Sequence, residues 1–210
     1  MITLQKNNGV WVVTLNRPEK ANSLTKAMLE ELAQIALDAA GEARVLVLTG
    51  AGSVFSAGAD LDEARAGLAI DGVWERLSNA ISAAPCLTIA ALNGTLAGGA
   101  FGMVLACDIR VAVPDAKFFY PVMRLGFLPQ PSDPRRMVDL IGPARTKLVL
   151  MAGQKVASDE ALSWGLIDRI TAPDGLLETV MELSEHARVQ SADHVAEMKR
   201  MIPISGSSQP

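Results

Sequence analysis

Two short runs of small residues carry the strongest chemical signal in this chain: Ser56-Ala57-Gly58-Ala59-Asp60 and Ala97-Gly98-Gly99-Ala100. Each follows a buried-strand pattern, Val45–Thr49 with Val54-Phe55 before the first and Cys86–Leu92 before the second. Asn93-Gly94 breaks the second pattern, and the apolar stretch after Ala100 places the start of a helix at about Gly98. The first N–H groups of a helix have no internal partner and sit at the positive end of its dipole. Glycine lets a ligand come against bare backbone. If both turns lie at one sheet edge, each supplies one main-chain N–H to a single oxygen, which suits an enolate or the tetrahedral oxyanion of a thioester. Tight packing alone also explains either run taken singly.

The elements that must position these turns follow from the rest of the pattern. Ile2–Gln5 and Val10–Leu15 read as a hairpin about Asn8-Gly9. Ser23 or Thr25 caps a helix that runs to about Ala40, and a second helix is expected over 71–83. Ile109–Val113 and Phe118–Tyr120 read as short strands. Helical segments follow over Pro134–Ile141, Pro143–Met151 and Ser158–Trp164, then Pro173–Val189 and Ala192–Met201, with a short strand at Ile167–Ile170. Alternating strands and helices make the fold class α/β. We place a core in residues 1–190, and a short C-terminal helix with a frayed Ser-, Gly- and Pro-rich tail in 191–210.

Composition narrows the function classes. With 210 residues, half of them hydrophobic, there is material for one sizeable core. A net charge of -4 without a cluster of Lys and Arg argues against nucleic acid. Cys86 and Cys107 sit inside apolar runs and read as buried thiols of a reducing cytoplasm. Met1–Lys6 is not a signal peptide, and no apolar run reaches membrane length. His186 and His194 fall in late helical segments as surface residues, so no His base is expected. Metal-ligand spacing is absent, and Ala97 stands where a dinucleotide fingerprint needs its first glycine.

Taken in order, Asn16-Arg17-Pro18, Phe55-Ser56-Ala57-Gly58-Ala59-Asp60-Leu61, Asn93-Gly94 with Gly98-Gly99, Cys107-Asp108, Gly126 with Pro129, and Ala161-Leu162 with Gly165-Leu166-Ile167-Asp168 resemble the enoyl-CoA hydratase/isomerase (crotonase) superfamily over about residues 2–200. The resemblance implies a spiral of repeated ββα units, an acyl-CoA thioester as substrate, coenzyme A only as part of that substrate, and a homotrimer or hexamer. It implies that Ala59 and Gly99 form the oxyanion hole and that Ala57 C=O meets the adenine. Lys20, Ala21, Asp60 and Leu61 fall in its coenzyme-contacting turns, and Tyr120 and Val122 border its acyl pocket. Asp60 by itself reads as a helix cap, and Tyr120 as a packing residue.

Two positions depart from the pattern. Hydratases of this family pair two glutamates, and here Gly102 and Val122 occupy those places. Neither transfers a proton, so ordinary hydration is not expected. A further branch of the family uses an aspartate where Gln130 stands. Asp133 is the nearest carboxylate, and before Pro134 it also reads as a helix cap. The C-terminal helical region is shorter than the family's, which leaves the pocket more open or covered by a neighbouring subunit. Three readings follow: an enolate-stabilising acyl-CoA lyase or isomerase, a malonyl-type decarboxylase or thioester hydrolase of the same fold, and a non-catalytic acyl-CoA-binding or scaffold protein.

Overall fold

The structure is a computed structural model and describes residues 1–202. β1 (Ile2–Asn7) and β2 (Val10–Leu15) form an antiparallel hairpin. Its turn needs left-handed backbone twice, at Asn8 (φ 44°) and Gly9 (φ 76°), the conformation Asn-Gly tolerates. The helix α1 (Lys26–Asp38) starts at Thr25, whose hydroxyl accepts the Met28 N–H.

The next stretches repeat one plan. β3 (Val45–Gly50) and β4 (Val54–Ser56) lead to α2 (Leu61–Arg65) and α3 (Val73–Ala83). β5 (Leu87–Leu92) and β6 (Thr95–Ala97) lead to α4 (Phe101–Leu105). β7 (Ile109–Ala112) and β8 (Lys117–Phe119) lead to α5 (Val122–Leu125) and α6 (Asp133–Leu150), which is broken at Gly142 before Pro143. β9 (Val156–Ala157), α7 (Ser158–Trp164) and β10 (Arg169–Ile170) follow, then α8 (Leu176–Leu183), α9 (Glu185–Val189) and α10 (Ala192–Arg200).

The first strand of each repeat joins a six-stranded sheet, β1-β2-β3-β5-β7-β10, and the second joins a four-stranded sheet, β4-β6-β8-β9. Apart from β1 with β2 and β8 with β9, every pairing is parallel. The chain therefore winds as a spiral of ββα units, as expected. Leu46, Ile89, Phe55, Phe101 and Phe118 fill the space between sheets and helices.

Several details differ from the sequence reading, among them a helix expected over Pro173–Val189 that divides into a 3₁₀ turn, α8 and α9. The strand β6 intervenes after Asn93-Gly94, three residues too short to show a period. The helix after it is a 3₁₀ turn, Gly98–Ala100, followed by only the five residues of α4, so its dipole is small and the bare N–H groups matter more. Cys107-Asp108 lies just past its end, where Asp108 accepts from the Thr88 N–H and hydroxyl. The short strand β10 covers two of the four residues expected. The tail from residue 203 lies outside the described residues.

Asn93-Gly94 does more than stop a strand. Asn93 accepts the Gly50 N–H (3.0 Å) and donates to the Gly52 carbonyl (2.9 Å), tying one level of the spiral to the next. A Cβ on Gly94 would stand 2.0 Å from the Ser53 carbonyl oxygen. Only glycine allows this approach.

Candidate oxyanion and carboxyl site

The first small-residue turn is held from three sides. Leu24 N–H donates to Gly58 C=O (2.8 Å), and Asp60 N–H donates to Leu24 C=O (2.9 Å). A trans peptide sets C=O and N–H on opposite sides, so the Ala59 N–H points away from Leu24. Ala57 N–H donates to Ala21 C=O, and Ser56 Oγ donates to Asn22 C=O. Asp60 caps α2 through the Asp62 and Glu63 N–H groups, and its other oxygen meets the Arg17 guanidinium at 2.7 Å. The Arg17 hydrogen bond keeps the Asp60 carboxyl below the usual carboxylate range. Its capping role is thus observed, and Arg17 of Asn16-Arg17-Pro18 fastens this turn.

The second turn lies directly against the first. A Cβ on Gly58, whose φ is +92°, would stand 3.3 Å from Gly98 Cα and 3.5 Å from Gly99 N. Ala59 N–H and Gly99 N–H have no acceptor among the described residues. The Trp74 ring covers Gly99, 3.2 Å from where its Cβ would be, and is fixed by Nε1 donating to Leu68 C=O (2.8 Å). The exposed Lys20 and partly buried Ala21 sit in the turn that Ala57 grips, while Leu61 is exposed at the start of α2.

One turn beyond Gly99 lies Gly102, and beside it stands a carboxyl. Asp133 is fully buried, and its Oδ1 would be 2.9 Å from a Cβ on Gly102. Tyr120 Oη donates to Asp133 Oδ2 (2.9 Å), and the Tyr120 ring stacks on Phe101 with centroids 5.4 Å apart. Oδ1 is buried without a hydrogen-bond partner. Burial pushes the Asp133 carboxyl up to about 7, against the pull of the Tyr120 hydrogen bond and of Arg136, while Glu75 adds to the rise. Glu75 itself accepts from Ser132 N–H and Oγ. Asp133 is therefore not the helix cap expected: it is the first residue of α6, and its side chain turns to Tyr120. Gln130 is buried nearby, and its carbonyl accepts the Asp133 N–H. Val122 is buried at the start of α5.

Residues 5–206 match the family described as enoyl-CoA hydratase/isomerase. The chain belongs to this family. A relative from Mycobacterium tuberculosis, named probable enoyl-CoA hydratase echA6, is 36% identical over 172 residues, covering 81% of this chain and 70% of that protein. The short-chain-enoyl-CoA hydratase of Clostridium acetobutylicum is 32% identical over 191 residues, covering 87% and 73%. Among solved structures, an enoyl-CoA hydratase from Bacillus anthracis superposes with a TM-score of 0.86 at 32% identity, covering 95% of this chain and 81% of that one. An enoyl-CoA hydratase/isomerase from Pseudoalteromonas atlantica gives 0.88 at 29% identity, with 95% and 81% covered. The spiral is thus the crotonase fold.

Sequence reasoning missed Trp74 and Glu75. No motif marks them; they are the first turn of an ordinary amphipathic helix until the fold sets that turn against Gly99 and Ser132. A cleft of about 1040 Å³ opens elsewhere, among Leu105, Leu140, Val195 and Met198, and includes neither small-residue turn. Unpartnered amides and a perturbed carboxyl say more about chemistry than volume does. No group of metal-ligand type and no helix long and apolar enough to cross a membrane occurs among the described residues.

Proposed function

We propose that this chain acts on acyl-CoA thioesters, holding the thioester oxygen with the Ala59 and Gly99 N–H groups and stabilising the enolate that forms there. The observation that carries this reading is the contact of two turns, Gly58 against Gly98-Gly99, each followed or accompanied by an N–H without an acceptor. Preorganised donors of this kind contribute about 2.7–4 kcal/mol each to lowering the barrier. Coenzyme A enters as part of the substrate, along Lys20, Ala21, Ala57, Asp60 and Leu61, and the acyl chain runs past Tyr120 and Val122. The relatives' names speak of hydration. Gly102 and Val122 favour a chemistry that needs less proton traffic, such as loss of CO2 from a malonyl-type thioester, which generates the enolate by itself. A cytoplasmic homotrimer or hexamer goes with the same reading.

Calorimetry with butyryl-CoA and with S-butyl-CoA, which lacks the carbonyl, tests it. The thioester is expected to bind at least about tenfold more tightly, roughly 1.4 kcal/mol. Equal affinity, or no binding of either, overturns the oxyanion assignment.

A further inference from the structure

We infer that the Asp133 carboxyl carries the proton to and from the α-carbon of the bound thioester, reaching it across the face that Gly102 leaves without a side chain. This rests on the thioester site proposed above and adds the group that site lacks. Gly102 follows Gly99 by one turn, a spacing of about 5–6 Å between side-chain positions on a helix. An α-carbon whose carbonyl oxygen sits on the Gly99 N–H is therefore brought to the Gly102 side. There the structure supplies Oδ1 of Asp133, buried and unpartnered, 2.9 Å from the point where a Gly102 side chain would begin.

The surroundings are those of a working acid–base group rather than of a void filler. An apolar side chain fills a hole at less cost than a buried carboxyl with one empty oxygen. Tyr120 locks the other oxygen, so the open one keeps a fixed direction. The charged and titratable groups that face Asp133 are Tyr120, Arg136 and Glu75. Burial outweighs the downward pull of Tyr120 and Arg136, with Glu75 adding to the rise, and leaves a carboxyl at about 7, which exists in both forms at neutral pH. Tyr120 keeps its own proton, since burial and Asp133 raise its phenol well above the ordinary range.

In the forward step the α C–H bond breaks, its electron pair moves into the thioester as an enolate held by the two amides, and the proton passes to Oδ1. In the reverse step Oδ1 returns a proton to carbon. The pair of steps needs no other reactant. Tyr120 is a positioning residue: it acts through Asp133 and does not touch carbon.

The experiment is exchange of butyryl-CoA α-protons in D2O, followed by mass spectrometry, with binding measured in parallel by calorimetry. Wild type is expected to incorporate deuterium faster as pH rises through about 7. Asp133→Asn is expected to bind butyryl-CoA but exchange at least about 100-fold more slowly. Tyr120→Phe is expected to retain exchange with its pH midpoint moved upward, because the lost hydrogen bond favoured the carboxylate; a role in packing alone leaves the midpoint in place. Butyryl-CoA bound without exchange in wild type, or exchanged at the wild-type rate by Asp133→Asn, overturns the assignment of Asp133 alone. Failure of wild type to bind butyryl-CoA overturns the thioester site itself.

Discussion

Asp133 and Gly102 are fitted to each other: the carboxyl Oδ1 lies 2.9 Å from the point where a Gly102 side chain would start. A carboxyl from a different element, α6, takes up the space into which a side chain at position 102 would grow. Gly102→Ala is therefore expected to lower stability by about 1–3 kcal/mol in urea unfolding. Adding Asp133→Gly to Gly102→Ala is expected to recover part of that loss, since contacting residues are not additive. A Gly102→Ala protein as stable as wild type contradicts the contact.

The same carboxyl makes stability depend on pH with a definite sign. Its value in the folded protein is about 7, against an ordinary 3.8. Between those values the folded state holds the proton more tightly, so stability falls as pH rises and levels off above about 7. From pH 5 to pH 8 the loss from this one group is on the order of 3 kcal/mol. Asp133→Asn is expected to flatten that decline and to be the more stable protein at pH 8. Parallel pH–stability curves for the two proteins speak against a buried, protonated Asp133.

Most of the fold was legible because it is written in local signals. Asn8-Gly9 dictates a hairpin, Thr25 a helix start, and Gly142-Pro143 a break inside α6. β6 was hidden because three residues, Thr95–Ala97, pair only with distant strands β4 and β8. At the site, the two small-residue turns stood out, and the fold sets them in contact. The environment of Asp133 was not legible. Its partners Tyr120, Gly102 and Glu75 come from three other stretches of the chain, so the nearby Pro134 gave the stronger, local and mistaken hint of a cap.

The joint between spiral levels gives a test independent of the chemistry. Asn93→Ala leaves the Gly50 N–H and Gly52 carbonyl without their partner and is expected to cost about 1–3 kcal/mol in thermal or urea unfolding. Gly94→Ala sets a methyl 2.0 Å from a carbonyl oxygen and is expected to be the more damaging of the two. The reverse order contradicts the close approach at Gly94.

Hydration can be followed by the absorbance of crotonyl-CoA, whose conjugated thioester disappears as water adds. With Gly102 and Val122 at the glutamate places, turnover is expected well below the ordinary enzymatic range of about 1–1,000 per second. A rate within that range shows that a single carboxyl suffices for hydration here.

Where the Ala59 and Gly99 N–H groups bind one carbonyl oxygen, the carbonyl stretch reports it directly. Infrared difference spectra of butyryl-CoA labelled with ¹³C at the thioester carbonyl are expected to show that stretch at lower frequency when bound. The shift is expected to shrink in Gly99→Pro, which lacks the donor. A bound carbonyl with its free-solution frequency, or a shift unchanged in Gly99→Pro, means that these amides do not hold the thioester oxygen.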